Sequence, residues 1–293
     1  MKGLAAAIAQ KLYYYYPDLK ILSFRQVGGG NICSAAVIDT SEGKFFVKYF
    51  SGSQYAGMFE SEKKSLELLA NAHTQLKIPE PILCDNDGGD TNFLLMEFLE
   101  PDIPENEFWR NFAYRLALLH KNSSRQFGLK FNNYIGSLRQ SNAFHSTWNE
   151  FFIEERINVQ FNLAVKNKLL SPTLDKNLNL LYKKLPDLVP VEKPALIHGD
   201  LWAGNYMAGP GGKAAIFDPA CYFGNRESDI AMTLLFGGFP NDFYANYNEA
   251  FPMEPGWRQR TDIYNLYPLL VHLNLFGQPY VPKVIDILNR YTG

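Results

Sequence analysis

The sequence predicts an α+β protein of two lobes, a small amino-terminal one with a five-stranded antiparallel sheet plus a helix, and a larger, mostly helical one. Three observations lead there. Short β-branched and aromatic runs joined by glycine turns fill the first third of the chain. A proline-containing acidic stretch, "LEPDIPEN", follows, and beyond it apolar residues recur at helical spacing. With 293 residues, 46% of them hydrophobic, the chain carries enough apolar material for a sizeable core.

The first segment, "MKGLAAAIAQKLYYYYPDLK", has a short apolar part interrupted by Gln10 and Lys11, which fits an amphipathic helix better than a signal peptide. Its tyrosines, Tyr13 to Tyr16, are expected to pack that helix. "ILSFRQVGGG", "SAAVIDT" and "KFFVKYF" read as three strands, the last two joined by a hairpin turn at "SEG". A helix follows in "QYAGMFESEKKSLELLANAH", where Phe59, Leu66 and Leu69 share a face. "IPEPILCDNDGGDTNFLLMEFLE" reads as two further strands around an acidic, glycine-rich turn. The division therefore falls between residues 1–98 and 99–293.

In the second part, Phe108, Phe112, Leu116 and Leu119 form one helical stripe, and residues 145–185 are expected to continue as helix. "PALIHG" and "KAAIFD" are short strands of one small β insert. "SDIAMTLLFGG", "NDFYANYNEAF", "GWRQRTDIYNLYPLLVHLNLFG" and "VPKVIDILNRY" read as helices.

Composition narrows the function classes. A net charge of −2 with scattered Lys and Arg gives no basic stripe, so no nucleic-acid partner is expected. No apolar run approaches the roughly 18 residues that span a bilayer, so no membrane partner is expected and the cytoplasm is the expected location. Cys33, Cys84 and Cys221 form neither a CxxC pair nor a disulfide framework, which suits a reducing compartment and argues against thiolate metal binding. The oligomeric state is not set by any of these features.

Several residues carry chemistry when taken together. Gly28, Gly29 and Gly30 lie between two strands, where backbone N–H groups can approach phosphate; a plain hairpin turn is the simpler reading, and no P-loop signature follows. Lys48 shares a strand face with Phe46 and Phe50, so its ammonium needs an anionic partner or a route to water from an edge strand. Glu62 on the next helix is the best partner, with Glu60 and Glu67 competing. In "HGDLWAGN", Asp200 is placed to orient a hydroxyl and Asn205 offers a neutral oxygen ligand. Asp218, after the strand "AAIF", adds a carboxylate that suits magnesium. Each is also a common cap or turn residue. In this order they supply what phosphoryl transfer from a nucleotide needs.

These residues resemble the protein-kinase-like fold, and within it the small-molecule kinases related to aminoglycoside phosphotransferases. "HGDLWAGN", "IFDPACYFGNRESDIAM" and "LLFGGFP" resemble the fructosamine (ketosamine) 3-kinase family, and the likeness runs through nearly the whole chain. It implies that Lys48 meets ATP phosphates with Glu62 as its helix partner, that Asp200 is the catalytic aspartate, and that Asn205 and Asp218 bind Mg2+. It implies a hinge at "MEFLE", with backbone groups of Glu97 and Leu99 meeting adenine and Met96 bordering the pocket. Trp202, inside the catalytic loop, is expected to stack on the sugar or on the amine side of the acceptor, with packing under the loop as the alternative. Trp148, Phe151 and Arg156 match a further family stretch, although the two aromatics also fit a helical core. His198 and Asp229 are expected to brace the loop, and His120 to be structural.

The implied activity is ATP- and magnesium-dependent phosphorylation of the 3-hydroxyl of a ketosamine, fructosamine or ribulosamine, on a small amine or a protein lysine, with deglycation as its role. A kinase of the same fold for an aminoglycoside, choline, homoserine or another small alcohol is the alternative. A catalytically inactive nucleotide-binding protein is a third. The chain departs from the family pattern at Asn31, where a cysteine often follows the glycines, and at Asn225, where histidine is usual. "DPA" at 218–220 offers no switching phenylalanine, and no long activation loop separates Asp218 from the next helix.

Overall fold

The structure, a computed structural model, describes residues 2–28, 33–55, 57–85 and 92–292. Gly29, Gly30 and Asn31, together with the acidic turn at 86–91, lie outside the described residues.

Helix α1 (Lys2–Tyr15) precedes strands β1 (Ile21–Val27), β2 (Ser34–Thr40) and β3 (Gly43–Phe50); helix α2 (Met58–Ala70) and strands β4 (Pro81–Asp85) and β5 (Asn92–Glu97) follow. The five strands form one antiparallel sheet in the order β1-β2-β3-β5-β4. Alternation along β3 and β5 sorts their side chains into two layers. Val47, Phe93 and Leu95 pack with Ile8 and Leu12 of α1 on one face, whereas Phe50, Leu94 and Met96 pack with Met58, Phe59 and Leu66 of α2 on the other. Both faces of the central strands are therefore covered. Lys48 points into the α2 face from β3, the middle strand of the sheet, so snorkelling from an edge is not open to it.

The tyrosines at the end of α1 do not pack it as expected. Tyr14 is 82% exposed and Tyr15 62%, because the face of α1 that meets the sheet carries Ile8 and Leu12 instead.

The second part opens with α3 (Phe108–His120), whose predicted stripe is buried throughout. A hairpin of β6 (Asn133–Ile135) and β7 (Leu138–Gln140) follows, then α4 (Trp148–Phe151), a π-helical stretch over Phe152–Ile157, and α5 (Asn158–Lys166). The continuous helix expected over 145–185 breaks here: Lys168 adopts φ 60°, and Ser171 caps a 3-10 turn that starts at Pro172. Helix α6 (Asp175–Leu188) resumes beyond it.

Strands β8 (Ala195–Ile197), β9 (Tyr206–Ala208), β10 (Ala214–Ile216) and β11 (Tyr222–Gly224) make two small ribbons, β8 with β11 and β9 with β10. With β6–β7 that makes three two-stranded sheets where the sequence suggested one insert; three-residue strands are too short to show periodicity. Helices α7 (Glu227–Leu235), α8 (Asn241–Ala250), α9 (Trp257–Phe276) and α10 (Val281–Thr292) complete the chain over one large apolar core. A backbone bridge joins the two parts: Lys77 N–H donates to Ala214 O at 2.9 Å, and Ile216 N–H to Lys77 O at 3.0 Å.

Candidate active site

The segment His198–Asn205 turns between β8 and β9, and Asp218 follows β10, so the two ribbons set the loop and the acidic residue side by side. Asp229, at the start of α7, ties the loop down. Its Oδ2 accepts from His198 N–H at 2.7 Å, and its Oδ1 from Gly199 N–H at 2.9 Å. Burial alone raises a carboxyl, but here the hydrogen bond and charge of His120 outweigh it and hold Asp229 below its usual range. His120 Nδ1 is in turn 2.7 Å from Tyr247 Oη.

Gly199 sits at φ 81°, and a Cβ there would lie 2.2 Å from Ala220 O, so only glycine lets the loop pass so close to the Asp218 strand end. His198 links the two segments directly. Its Nδ1 accepts from Asp200 N–H at 3.3 Å, so Nε2 carries the proton and donates to Phe217 O at 3.0 Å. Burial lowers its pKa, which suits a neutral brace rather than a base.

Asp200 and Asn205 face one another. Asn205 Nδ2 donates to Asp200 O at 2.8 Å and to Asp200 Oδ2 at 3.0 Å, which turns the amide oxygen away from Asp200. Burial first, and then the nearby charge of Asp218, push the Asp200 carboxyl up to about 7 against the pull of the Asn205 hydrogen bond. Asp218 holds φ 58° with its side chain 45% exposed.

Lys48 Nζ lies 2.5 Å from Glu62 Oε1 and 2.5 Å from Asp218 Oδ1, so it joins the sheet, α2 and the loop region. Burial acts to discharge the ammonium, but Asp218 and Glu62 override it and raise its pKa. The competition for Lys48 is settled by geometry: Glu60 pairs with Lys64 at 3.2 Å and Glu67 approaches Lys63 at 4.0 Å along the helix surface.

One cavity of about 930 Å³ joins these groups. Its lining includes Gly28, Lys48, Met96, Glu97 and Leu99. The N–H of Glu97 is already given to Glu80 O at 2.8 Å. The lining also includes Trp202, Phe236, His272, Phe276 and Tyr280. The Trp202 and Phe236 rings meet edge to face at 6.0 Å, and Phe236 lies 4.7 Å from His272. Gly204 makes room for the indole, since a Cβ there would lie 2.3 Å from it.

Trp202 was the one residue of this aromatic cluster that the sequence marked. Phe236, just after α7, lies in the "LLFGGFP" stretch without having been singled out there, and His272, Phe276 and Tyr280 come from α9 and the turn into α10, where no local motif flags them. Trp148, Phe151 and Arg156 are buried in the core instead; Asn225 Oδ1 accepts from Glu227 N–H at 2.9 Å, just ahead of α7.

A five-stranded sheet with a buried lysine paired to a helix glutamate, set over an Asp/Asn loop and a further aspartate, defines a kinase of the protein-kinase-like fold. Among more distant neighbours, an aminoglycoside phosphotransferase of solved structure superposes with a TM-score of 0.63 at 16% identity over 99% of both chains, a likeness of fold alone.

The family model for fructosamine kinase matches residues 5–292, and the chain belongs to that family. A probable ketoamine kinase of Vibrio parahaemolyticus is 38% identical over 269 residues, covering 90% of this chain and 91% of the relative. A chloroplastic protein-ribulosamine 3-kinase of Oryza sativa subsp. indica is 34% identical over 275 residues, 93% of this chain and 79% of its own length. A crystal structure from Haemophilus somnus 129PT that bears the fructosamine-3-kinase name superposes with a TM-score of 0.89 at 30% identity, covering 100% of this chain and 99% of the other. The protein is thus an enzyme, a kinase of the ketosamine type. No helix among the described residues is long and apolar enough to cross a membrane.

Proposed function

We propose that this kinase transfers the γ-phosphoryl group of ATP to the 3-hydroxyl of a ketosamine, a fructosamine or ribulosamine carried by a small amine or a protein lysine. The observation that carries the reading is the convergence of Lys48, Asp200, Asn205 and Asp218 in a cavity that is also lined by an aromatic cluster. In this reading residues 1–98 hold the nucleotide and residues 99–293 the acceptor.

Gly28 to Gly30 cover the phosphates, Met96 borders adenine, and backbone groups of Glu97 and Leu99 meet its edge. Asp200 accepts the proton of the 3-hydroxyl as its oxygen bonds to phosphorus and the bond to ADP breaks. Lys48, charged by its two carboxylates, steadies the phosphate oxygens. The amide oxygen of Asn205 and the half-exposed carboxylate of Asp218 are hard donors that fit Mg2+; when bound, the ion neutralises charge on the phosphates. Lys48 now occupies one Asp218 oxygen, so in this proposal that pairing loosens as nucleotide binds.

Trp202 gives the sugar or its amine a flat face beside Asp200. A ketosamine phosphorylated at this hydroxyl would shed its sugar, so the proposed role is deglycation, and the proposed location is the cytoplasm.

The test is an ADP-release panel with fructosyl-lysine, ribulosyl-lysine, an aminoglycoside and choline. Turnover on the ketosamines is expected. Turnover on the other alcohols alone would transfer the reading to a different acceptor class.

A further inference from the structure

The β6–β7 hairpin escaped the sequence reading, yet two of its polar side chains, Asn133 and Gln140, are buried and bonded into the segment that follows Asp218. Asn133, 2% exposed, donates Nδ2 to Cys221 O at 2.8 Å. Its Oδ1 accepts from Gln140 Nε2 at 2.7 Å and from Asn142 Nδ2 at 2.9 Å. Gln140 Nε2 also donates to Ala220 O at 2.9 Å, and its Oε1 accepts from Tyr267 Oη of α9 at 2.7 Å.

Asn142 is fixed from behind by Arg156, which donates Nη2 to its Oδ1 at 2.6 Å and Nη1 to Ser141 O at 2.5 Å. Arg156 is fully buried, and among the described residues its charge meets no carboxylate. Instead the guanidinium lies 4.0 Å from the Tyr222 ring centre and 4.4 Å from that of Phe151. Burying a charge and three amides is costly, the more so because Arg156 Nε has no hydrogen-bond partner, and such a network contributes geometry more than stability.

The geometry it sets is that of Asp218. Upstream, Phe217 N–H donates to Asn205 O at 3.1 Å and Phe217 O accepts from His198. Downstream, Ala220 N–H donates to His198 O at 3.0 Å, and the Ala220 and Cys221 carbonyls are taken by Gln140 and Asn133. Between these fixed points Asp218 sits at φ 58°, in the left-handed region that aspartate tolerates better than most residues other than glycine. At its other side the hairpin reaches the helix that carries Glu62: Tyr134 packs on the cluster of Met58, Phe59 and Met96. The hairpin thus touches both carriers of the carboxylates that share Lys48.

We propose that the β6–β7 hairpin is a strut that aims Asp218, and that Asn133 and Gln140 are positioning residues for cation-dependent nucleotide binding. A strut suits this chain, because only Pro219, Ala220 and Cys221 separate Asp218 from β11.

The test is calorimetric titration of the full chain with AMP-PNP, with magnesium and with a chelator. Asn133→Ala is expected to weaken binding with magnesium about tenfold and binding in chelator by less than about twofold, as loss of a residue that orients a ligand does. Equal weakening under both conditions, or none, overturns the proposal, since a hairpin that only fills the core would show that pattern. A wild-type chain that binds no tighter with magnesium overturns it too. If Asn133→Ala does not fold, Gln140→Met, which keeps the volume and removes the donors, is expected to show the same asymmetry at about threefold. The inference rests on the kinase reading, but the titration needs no acceptor. A chain that binds magnesium AMP-PNP and phosphorylates no ketosamine would sink the proposed substrate and leave this comparison standing.

Discussion

Around Asp200 nearly every polar group is held by another: Asn205 on its carboxylate, His198 on its backbone, Asp229 on the loop behind it, Lys48 between Glu62 and Asp218. Elsewhere along the same cavity, Trp202, Phe236, His272, Phe276 and Tyr280 meet mainly through rings, with His272 Nδ1 donating to Pro268 O at 2.7 Å. On the proposed reading, the difference follows from what each part handles. Charge that moves during a reaction needs dipoles aimed in advance. An acceptor that varies in its amine is better met by flat, polarisable surface, which binds without demanding one hydrogen-bond pattern. Phe276, 43% exposed, leaves that part open to solvent, where a bulky amine has room to extend.

The contrast can be broken most directly at Asp200. Asp200→Asn is expected to lower turnover by about a thousandfold, the loss of a positioned base, with nucleotide binding retained. It should also melt higher at pH 8. A carboxyl raised from 3.8 to about 7 in the folded chain contributes stability that is present below pH 3.8 and lost as pH rises through 7. The asparagine escapes that loss, so the gap between the two melting curves should close toward pH 4. Full turnover in the variant would remove Asp200 from the mechanism.

Lys48→Met comes next. It strands the Glu62 carboxylate inside the sheet–helix layer, at about 3 kcal/mol, and should lower turnover by about a hundredfold. Denaturant midpoints check the first effect, and adding Glu62→Gln should recover stability without recovering turnover.

At the aromatic cluster, Trp202→Ala should raise the acceptor KM by about tenfold, or about 1.4 kcal/mol, and leave the KM for ATP unchanged. A rise in both constants would place the indole over the nucleotide instead. The smallest effect is on pH. kcat/KM should fall as pH drops below about 7, where Asp200 takes a proton. Saturating magnesium should move that limb lower by less than about one unit, because it offsets the Asp218 charge that helps raise Asp200. A limb that persists in Asp200→Asn would belong to another group.

The polar part was legible because its residues sit in short strand-and-loop motifs whose chemistry is local. "FFVKYF" and "HGDLWAGN" each place a charged or amide group where an apolar run stops or is interrupted. Glu62 was legible only as one of three glutamates, since helix phase against a distant strand is a three-dimensional quantity. The hairpin and the aromatic cluster were hidden for a related reason: Asn133, Phe236, His272 and Tyr280 have ordinary neighbours in sequence and become one surface only when distant elements meet.

By itself, the sequence determined the order of strands and helix along the sheet lobe, most helices of the second part and Lys48, Asp200, Asn205 and Asp218 as one candidate set, because periodicity and turn chemistry act over a few residues. Tertiary structure alone decided which carboxylates share Lys48, how the buried amides of Asn133 and Gln140 grip the backbone after Asp218, and which rings face Trp202. Those outcomes depend on contacts between segments far apart in the chain, where burial and hydrogen bonding are settled only by what packs against what.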